Sequence, residues 1–190
     1  MKPLKFIHIT KTAGTTLEDE AQSCDILWGR FHEEYGWWHE IFPSKPATLK
    51  EKYNWFTVVR NPYSRIISEF HCQWGNTLLN NGRKAESFTK QEFNECLIHR
   101  INTYDSTGEH YTPQYLYIDK EVPVDVLRFE NLKSEFHKLM KTYKLPVTIN
   151  SHKNANTKVF NTTDINQKLR DLINKTYEKD FELFGYDIEL

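Results

Sequence analysis

The chain has 190 residues, 38% of them hydrophobic and 27% charged, which suits one soluble globular domain with its own core. A net charge of −1 excludes a general nucleic-acid binder, which carries a basic excess, so any anion site must be a local cluster of cations and backbone N–H groups. No apolar run approaches the roughly 18 residues of a membrane-spanning helix, and no membrane insertion is expected.

Lys5 to Ile9 (KFIHI) is a short apolar, β-branched run and reads as a buried strand. Thr10 to Thr15 follows as a small polar loop, and Thr15 or Thr16 is expected to cap a helix over Leu17–Gln22. Such a strand–loop–helix unit gathers backbone N–H groups and a helix N-terminus around one point, which suits an anion. A short strand is expected near Ile26-Leu27, and a helical turn or two over Thr48–Tyr53 after Pro46. Trp55–Val59 (WFTVV) is the clearest second strand, continuous and aromatic as inside a parallel sheet. It ends at Arg60-Asn61-Pro62, where Pro62 opens a helix expected to run to about Trp74.

Leu78–Ala85 reads as a loop, and Thr89 caps a helix through Ile101. Tyr115–Ile118 and Val124–Phe129 are short strand candidates. Asn131 or Ser134 starts an amphipathic helix to Tyr143, with Leu132, Phe136, Leu139, Met140 and Tyr143 on one face. Pro146–Thr163 is polar and irregular. Asp164–Phe184 is a final helix stopped by Gly185. Strands alternating with helices give an α/β fold, and no repeat or linker divides the chain, so residues 1–190 read as a single domain.

Two segments carry chemistry. Lys11-Thr12-Ala13-Gly14-Thr15-Thr16 is not a Walker A loop, which needs Lys after the last Gly. Gly14 and Ala13 allow close backbone approach, Thr12, Thr15 and Thr16 offer hydroxyls, and Lys11 supplies a mobile point charge. Alone, this could equally be a solvated turn with a surface lysine. Arg60 lies at a strand's end beside a helix N-terminus, a good place for a phosphate, and Ser68 two turns on could face the same pocket. Alone, Arg60 and Arg65 could instead pair with surface acids. Together, two strand–turn–helix units with anion-binding residues suggest a ligand with two separated anionic groups, such as a nucleotide phosphorylated at both 5′ and 3′ positions.

These stretches resemble a known family. F-I-H-I-T-K-T-A-G-T-T-L, residues 6–17, is similar to the 5′-phosphosulfate loop of Golgi-type carbohydrate sulfotransferases, whose usual form is about hIPKTGGTSL. F-T-V-V-R-N-P-Y-S-R-I-I-S-E-F, residues 56–70, resembles their 3′-phosphate motif, with Arg60 and Ser68 at its eight-residue spacing. Trp38-His39-Glu40, H-Y-T-P-Q at 110–114 and R-F-E-N-L at 128–132 continue the likeness in weaker form. Thr10 replaces a common Pro, Ala13 a Gly and Asn61 a frequent Asp. The resemblance, to the heparan-sulfate 2-O-like branch in particular, implies a P-loop-NTPase-like parallel sheet flanked by helices.

It also implies the sulfuryl donor PAPS (3′-phosphoadenosine-5′-phosphosulfate), with PAP as product and a carbohydrate hydroxyl as acceptor. On this likeness Lys11 stabilises the breaking bridge, residues 12–16 hold the phosphosulfate, and Arg60 and Ser68 hold the 3′-phosphate. A His serves as base: His39 is the first choice, His32 the second, with Glu33, Glu34 and Glu40 nearby. His110 and Trp38 are the acceptor-side candidates, and Trp37 and Trp74 could also stack on a sugar. His8, inside the first strand, reads as structural. Lys153, Asn154 and Lys158 form a late basic loop that could close over the donor. No metal is called for. The competing readings are a small-molecule kinase, which would need a Walker A lysine and an acidic magnesium ligand, and a non-catalytic nucleotide-binding module. Three cysteines without a CxxC, and an N-terminus too quickly polar for a signal peptide, fit reduced thiols in the cytoplasm, with one disulfide plus a free thiol as the alternative.

Overall fold

The structure, a computed structural model, describes residues 2–32, 39–104, 110–150 and 159–189. In chain order its strands are β1 (Leu4–Ile7), β2 (Asn54–Val59) and β3 (Val124–Arg128). Its α-helices are α1 (Gly14–Gln22), α2 (Ala47–Lys52), α3 (Pro62–Phe70), α4 (Thr77–Asn80), α5 (Lys90–Asn102), α6 (Leu132–Tyr143), α7 (Gln167–Thr176) and α8 (Glu178–Phe184). The expected α/β class with a parallel sheet and flanking helices is what forms. The chain builds two compact units, one from residues 1–60 and 116–155, the other from 61–115 and 156–190.

The first unit holds the sheet, in the order β1-β2-β3 and parallel throughout. Phe6 pairs with Phe56 across β1 and β2, and Thr57 with Val126 across β2 and β3. Alternation decides the faces. Leu4 and Phe6 of β1 and Phe56 and Val58 of β2 share a core with Leu17 and Ala21 of α1 and Phe136, Leu139 and Met140 of α6. Trp55 points the other way and packs its ring 4.7 Å from that of Phe42. The second unit is helical around its own core, drawn from α3, α5, α7 and α8. Thr89 caps α5 through a reciprocal capping box with Glu92, and Gly185 ends α8 in the left-handed region.

Several expected elements differ. Ile26-Leu27 is not a strand: the Ile26 N–H bonds back to Ala21, and the Leu27 carbonyl accepts from the Lys5 ammonium. Helix α1 begins at Gly14 rather than after a Thr15 or Thr16 cap, because Ala13 in the left-handed region turns the chain into the helix three residues sooner. Helix α3 stops at Phe70, not near Trp74, where the buried Asn76 side chain takes the Phe70 carbonyl and caps α4, itself a short helix inside the expected loop. Gln114–Tyr117 is a 3-10 turn instead of a strand. The final helix is broken at Tyr177, which leaves helical geometry while its hydroxyl donates to the Tyr111 carbonyl.

Candidate functional site

Strands β1 and β2 are parallel neighbours, so their carboxyl ends lie side by side, the position at which open α/β sheets place their ligands. The residues leaving β1 are buried: His8, Ile9, Thr10 and Thr12 are nearly closed to solvent. The Thr12 hydroxyl donates to the Ile9 carbonyl at 2.8 Å, so it closes the loop on itself. Lys11 and Ala13 both take left-handed backbone conformations, at φ 60° and 71°. An L-residue in that region costs on the order of 1–2 kcal/mol, and strain of this kind concentrates where function fixes the backbone.

Helix α1 follows directly, and no side chain caps its N-terminus, nor does an acid stand in its first turn. The opening amides at Gly14, Thr15 and Thr16 have no partner within the helix by construction, and they carry its positive dipole end. Gly14 is required by crowding: a Cβ there would lie 2.2 Å from His8 Nε2. The His8 ring is fixed from behind, since its Nδ1 lies 2.6 Å from Oε1 of the fully buried Glu18. Glu18 is also held by the Arg30 N–H, and Gly29, at φ 51°, leaves room for its carboxylate.

Arg60, just past β2, reaches across to this loop. Its Nη1 donates to the Lys11 carbonyl at 3.1 Å, and its guanidinium stacks 4.1 Å above the Phe129 ring at the end of β3. The ends of all three strands thus meet at one guanidinium. Lys11, Thr12, Ala13, Gly14, Thr15, Thr16 and Arg60 are brought together here. Ser68 lies on α3, whose first position is Pro62, and its side chain is nearly buried in the helical unit.

Of the base candidates, His39 meets the His8 ring edge-on at 4.6 Å, two rings from Gly14. His32 instead stands edge-on to Tyr53. Burial pushes the Glu40 carboxyl up, but hydrogen bonds from Lys45 and Ser44 outweigh it and hold the group below the usual carboxylate range, which makes it a poor base. Glu33, Glu34, Trp37 and Trp38, and the basic loop with Lys153, Asn154 and Lys158, lie outside the described residues. His110 sits in the helical unit, its Nδ1 2.5 Å from Glu69 Oε2, and Trp74 is largely exposed. Sequence reasoning passed over Phe129 and Glu18. The first had a signal, an aromatic just after the third strand; so had the second, an acid on the buried face of α1 next to Leu17 and Ala21.

Among the described residues no helix is long and apolar enough to cross a membrane, and Cys24, Cys72 and Cys96 are free thiols. No curated protein and no solved structure matches the chain. A family model described as the sulfotransferase family matches residues 3–187, through both units. The chain therefore belongs to the sulfotransferase family.

Proposed function

We propose that the chain moves the sulfuryl group of PAPS to an acceptor hydroxyl, on a carbohydrate as in the branch its motifs resemble, and that its two units act as one sulfotransferase domain. The observation that carries this reading is the Arg60–Lys11 hydrogen bond, which ties the two anion-binding turns at the ends of neighbouring strands. In this mechanism the 5′-phosphosulfate lies on the α1 N-terminus, where amides of residues 14–16 replace its water. The acceptor oxygen attacks sulfur in line as the bond from sulfur to the bridging oxygen breaks. Lys11 neutralises the charge growing on that oxygen, and PAP leaves. The acceptor proton passes to His39, or to His32 as the second choice. Arg60 and Ser68 hold the 3′-phosphate. The reaction asks for positioning and charge stabilisation, as phosphoryl transfer does.

The kinase reading has no Walker A lysine to support it, and a non-catalytic module would have no use for Lys11. Three thiols without a disulfide favour a reducing compartment, so the cytoplasm is the proposed location. The test is calorimetric titration with PAP and with ATP, each with and without Mg²⁺, followed by transfer of radiolabelled sulfate from PAPS to a panel of glycans. PAP should bind without Mg²⁺, and label should reach a glycan. A chain that ignores PAP overturns the proposal.

A further inference from the structure

The helical unit contains a cluster of three side chains of metal-ligating type. Glu69 lies at the end of α3, and Cys72 follows one turn later, where its N–H bonds to the Glu69 carbonyl at 3.0 Å. His110 comes to the same place from a distant part of the chain. Its Nδ1 is 2.5 Å from Glu69 Oε2. One ligand atom each from Glu69, Cys72 and His110 lies within 4.8 Å of the others.

We propose that Glu69, Cys72 and His110 form a binding site for a divalent transition metal of zinc's class. The donor set is one carboxylate oxygen, one thiolate and one imidazole nitrogen, the mixture that suits zinc or cobalt and not magnesium or calcium. Around a tetrahedral ion with bonds of about 2.0–2.3 Å, donor atoms stand about 3.4–3.6 Å apart. To reach this, the Cys72 sulfur, within 4.8 Å of the other two donor atoms, closes by up to about 1.3 Å. The His110–Glu69 contact opens by about 1 Å, and the proton these two share, with the thiol proton, passes to solvent as the ion takes their place. The three protein donors leave a fourth position for water.

The surroundings hold the ligands in place. Glu69 is fully buried, its Oε1 facing the Arg65 guanidinium at 3.7 Å and its Oε2 facing His110. Gly75 forms the wall: a Cβ there would stand 3.0 Å from Glu69 Oε2 and 3.1 Å from His110 Nδ1, closing the space. His110 is fixed through its neighbour. Tyr111 is held at φ 73°, its carbonyl accepts from the Tyr177 hydroxyl at 2.6 Å, and its own hydroxyl is buried with no hydrogen-bond partner among the described residues. Pre-positioned ligands of this kind lower the ordering cost of binding an ion. This gives His110 a role besides the acceptor-side one expected from the sequence.

The experiment needs no PAPS, so its outcome is separate from that of the sulfotransferase proposal. Co²⁺ is titrated into the full chain and followed by visible and near-ultraviolet absorption, with Zn²⁺ affinity from calorimetry. One equivalent should bind with a thiolate-to-cobalt charge-transfer band. Cys72→Ser should abolish the band, and His110→Ala or Glu69→Gln should weaken Zn²⁺ by at least 10-fold. Cys24→Ser and Cys96→Ser should keep both. Because the buried Glu69 variant could misfold, alkylation of the wild-type chain gives a second readout: Zn²⁺ should slow modification of Cys72 at least 10-fold and leave Cys24 and Cys96 unchanged. No saturable uptake, a band that survives Cys72→Ser, or Cys72 alkylation indifferent to Zn²⁺ overturns the proposal.

Discussion

Gly14→Ala tests the packing that shapes the loop, and the structure sets its size. The new methyl would lie 2.2 Å from His8 Nε2, 2.3 Å from Cδ2 and 2.5 Å from Cε1, so ring or backbone must retreat by more than 1 Å to reach an ordinary contact of 3.4 Å. His8 is 4% exposed and tied to a buried carboxylate, so it has no free direction to move. Overpacking costs about 1–3 kcal/mol. Pulling His8 off Glu18 weakens a charged hydrogen bond worth about 1.5–3 kcal/mol. Replacing Gly in a helix returns about 0.5–1 kcal/mol. The balance is a loss of about 3 kcal/mol, or roughly 6–12 °C in Tm for a chain of this length. Thermal unfolding by circular dichroism measures it. In a His8→Ala background the clash vanishes, so Gly14→Ala should cost far less there, and the double-mutant cycle should give a coupling above 1 kcal/mol. A Tm within about 1 °C of wild type, or additive effects, would refute the assigned contact.

Lys11→Ala should abolish sulfuryl transfer with only a modest loss of PAP affinity, because its interaction matures in the transition state; calorimetry beside a turnover assay separates the two. Arg60→Ala should weaken PAP by about 10- to 150-fold, the worth of a charged hydrogen bond, and Arg60→Lys should restore little of it, since an ammonium cannot reproduce the planar stack on Phe129. Ala13→Gly removes the cost of a left-handed Ala and should raise Tm by about 1–2 °C after the added chain entropy, whereas Ala13→Val should lower it. The Glu92 carboxyl is drawn down to about 2 by the Thr89 N–H, the Arg83 guanidinium and the Thr89 hydroxyl. A depressed carboxylate stabilises the fold above its unfolded pKa, near 4.5, and loses that contribution as pH falls toward about 2. The Tm difference between wild type and Glu92→Gln should therefore be constant near neutrality and shrink across that acid window.

The strands were legible because their signal is local. KFIHI, WFTVV and the run from Val124 carry their apolar, β-branched character in four to six residues, and the structure places β1, β2 and β3 on them. The placement of Lys11 and Gly14 between the first strand and its helix, and of Arg60 directly after the second strand, was also legible by position. Two of the failures depend on distant partners. Tyr115–Ile118 has a strand's composition, but Asp180, sixty-five residues on, accepts the N–H groups of Gln114 and Tyr115 that a strand would offer its neighbour. The break at Tyr177 comes from Tyr111, sixty-six residues away. The Glu69–His110 pairing spans forty-one residues and leaves no periodic trace. Glu18 left a weaker trace: its place beside Leu17 and Ala21 marks a buried face, but its role is seen only with its buried partner His8.

The bond from Arg60 ends on the carbonyl of Lys11 itself, and this couples two parts of the loop that chemistry would otherwise treat separately. Rotation of that one peptide plane changes both where the arginine rests and the direction in which the lysine leaves the backbone. A ligand that draws the guanidinium toward itself must either keep this strut or release it, and release frees the Lys11 peptide plane to turn. On the function proposed above, recognition of the far end of the nucleotide would be transmitted through this single amide to the lysine assigned to bond cleavage at the near end.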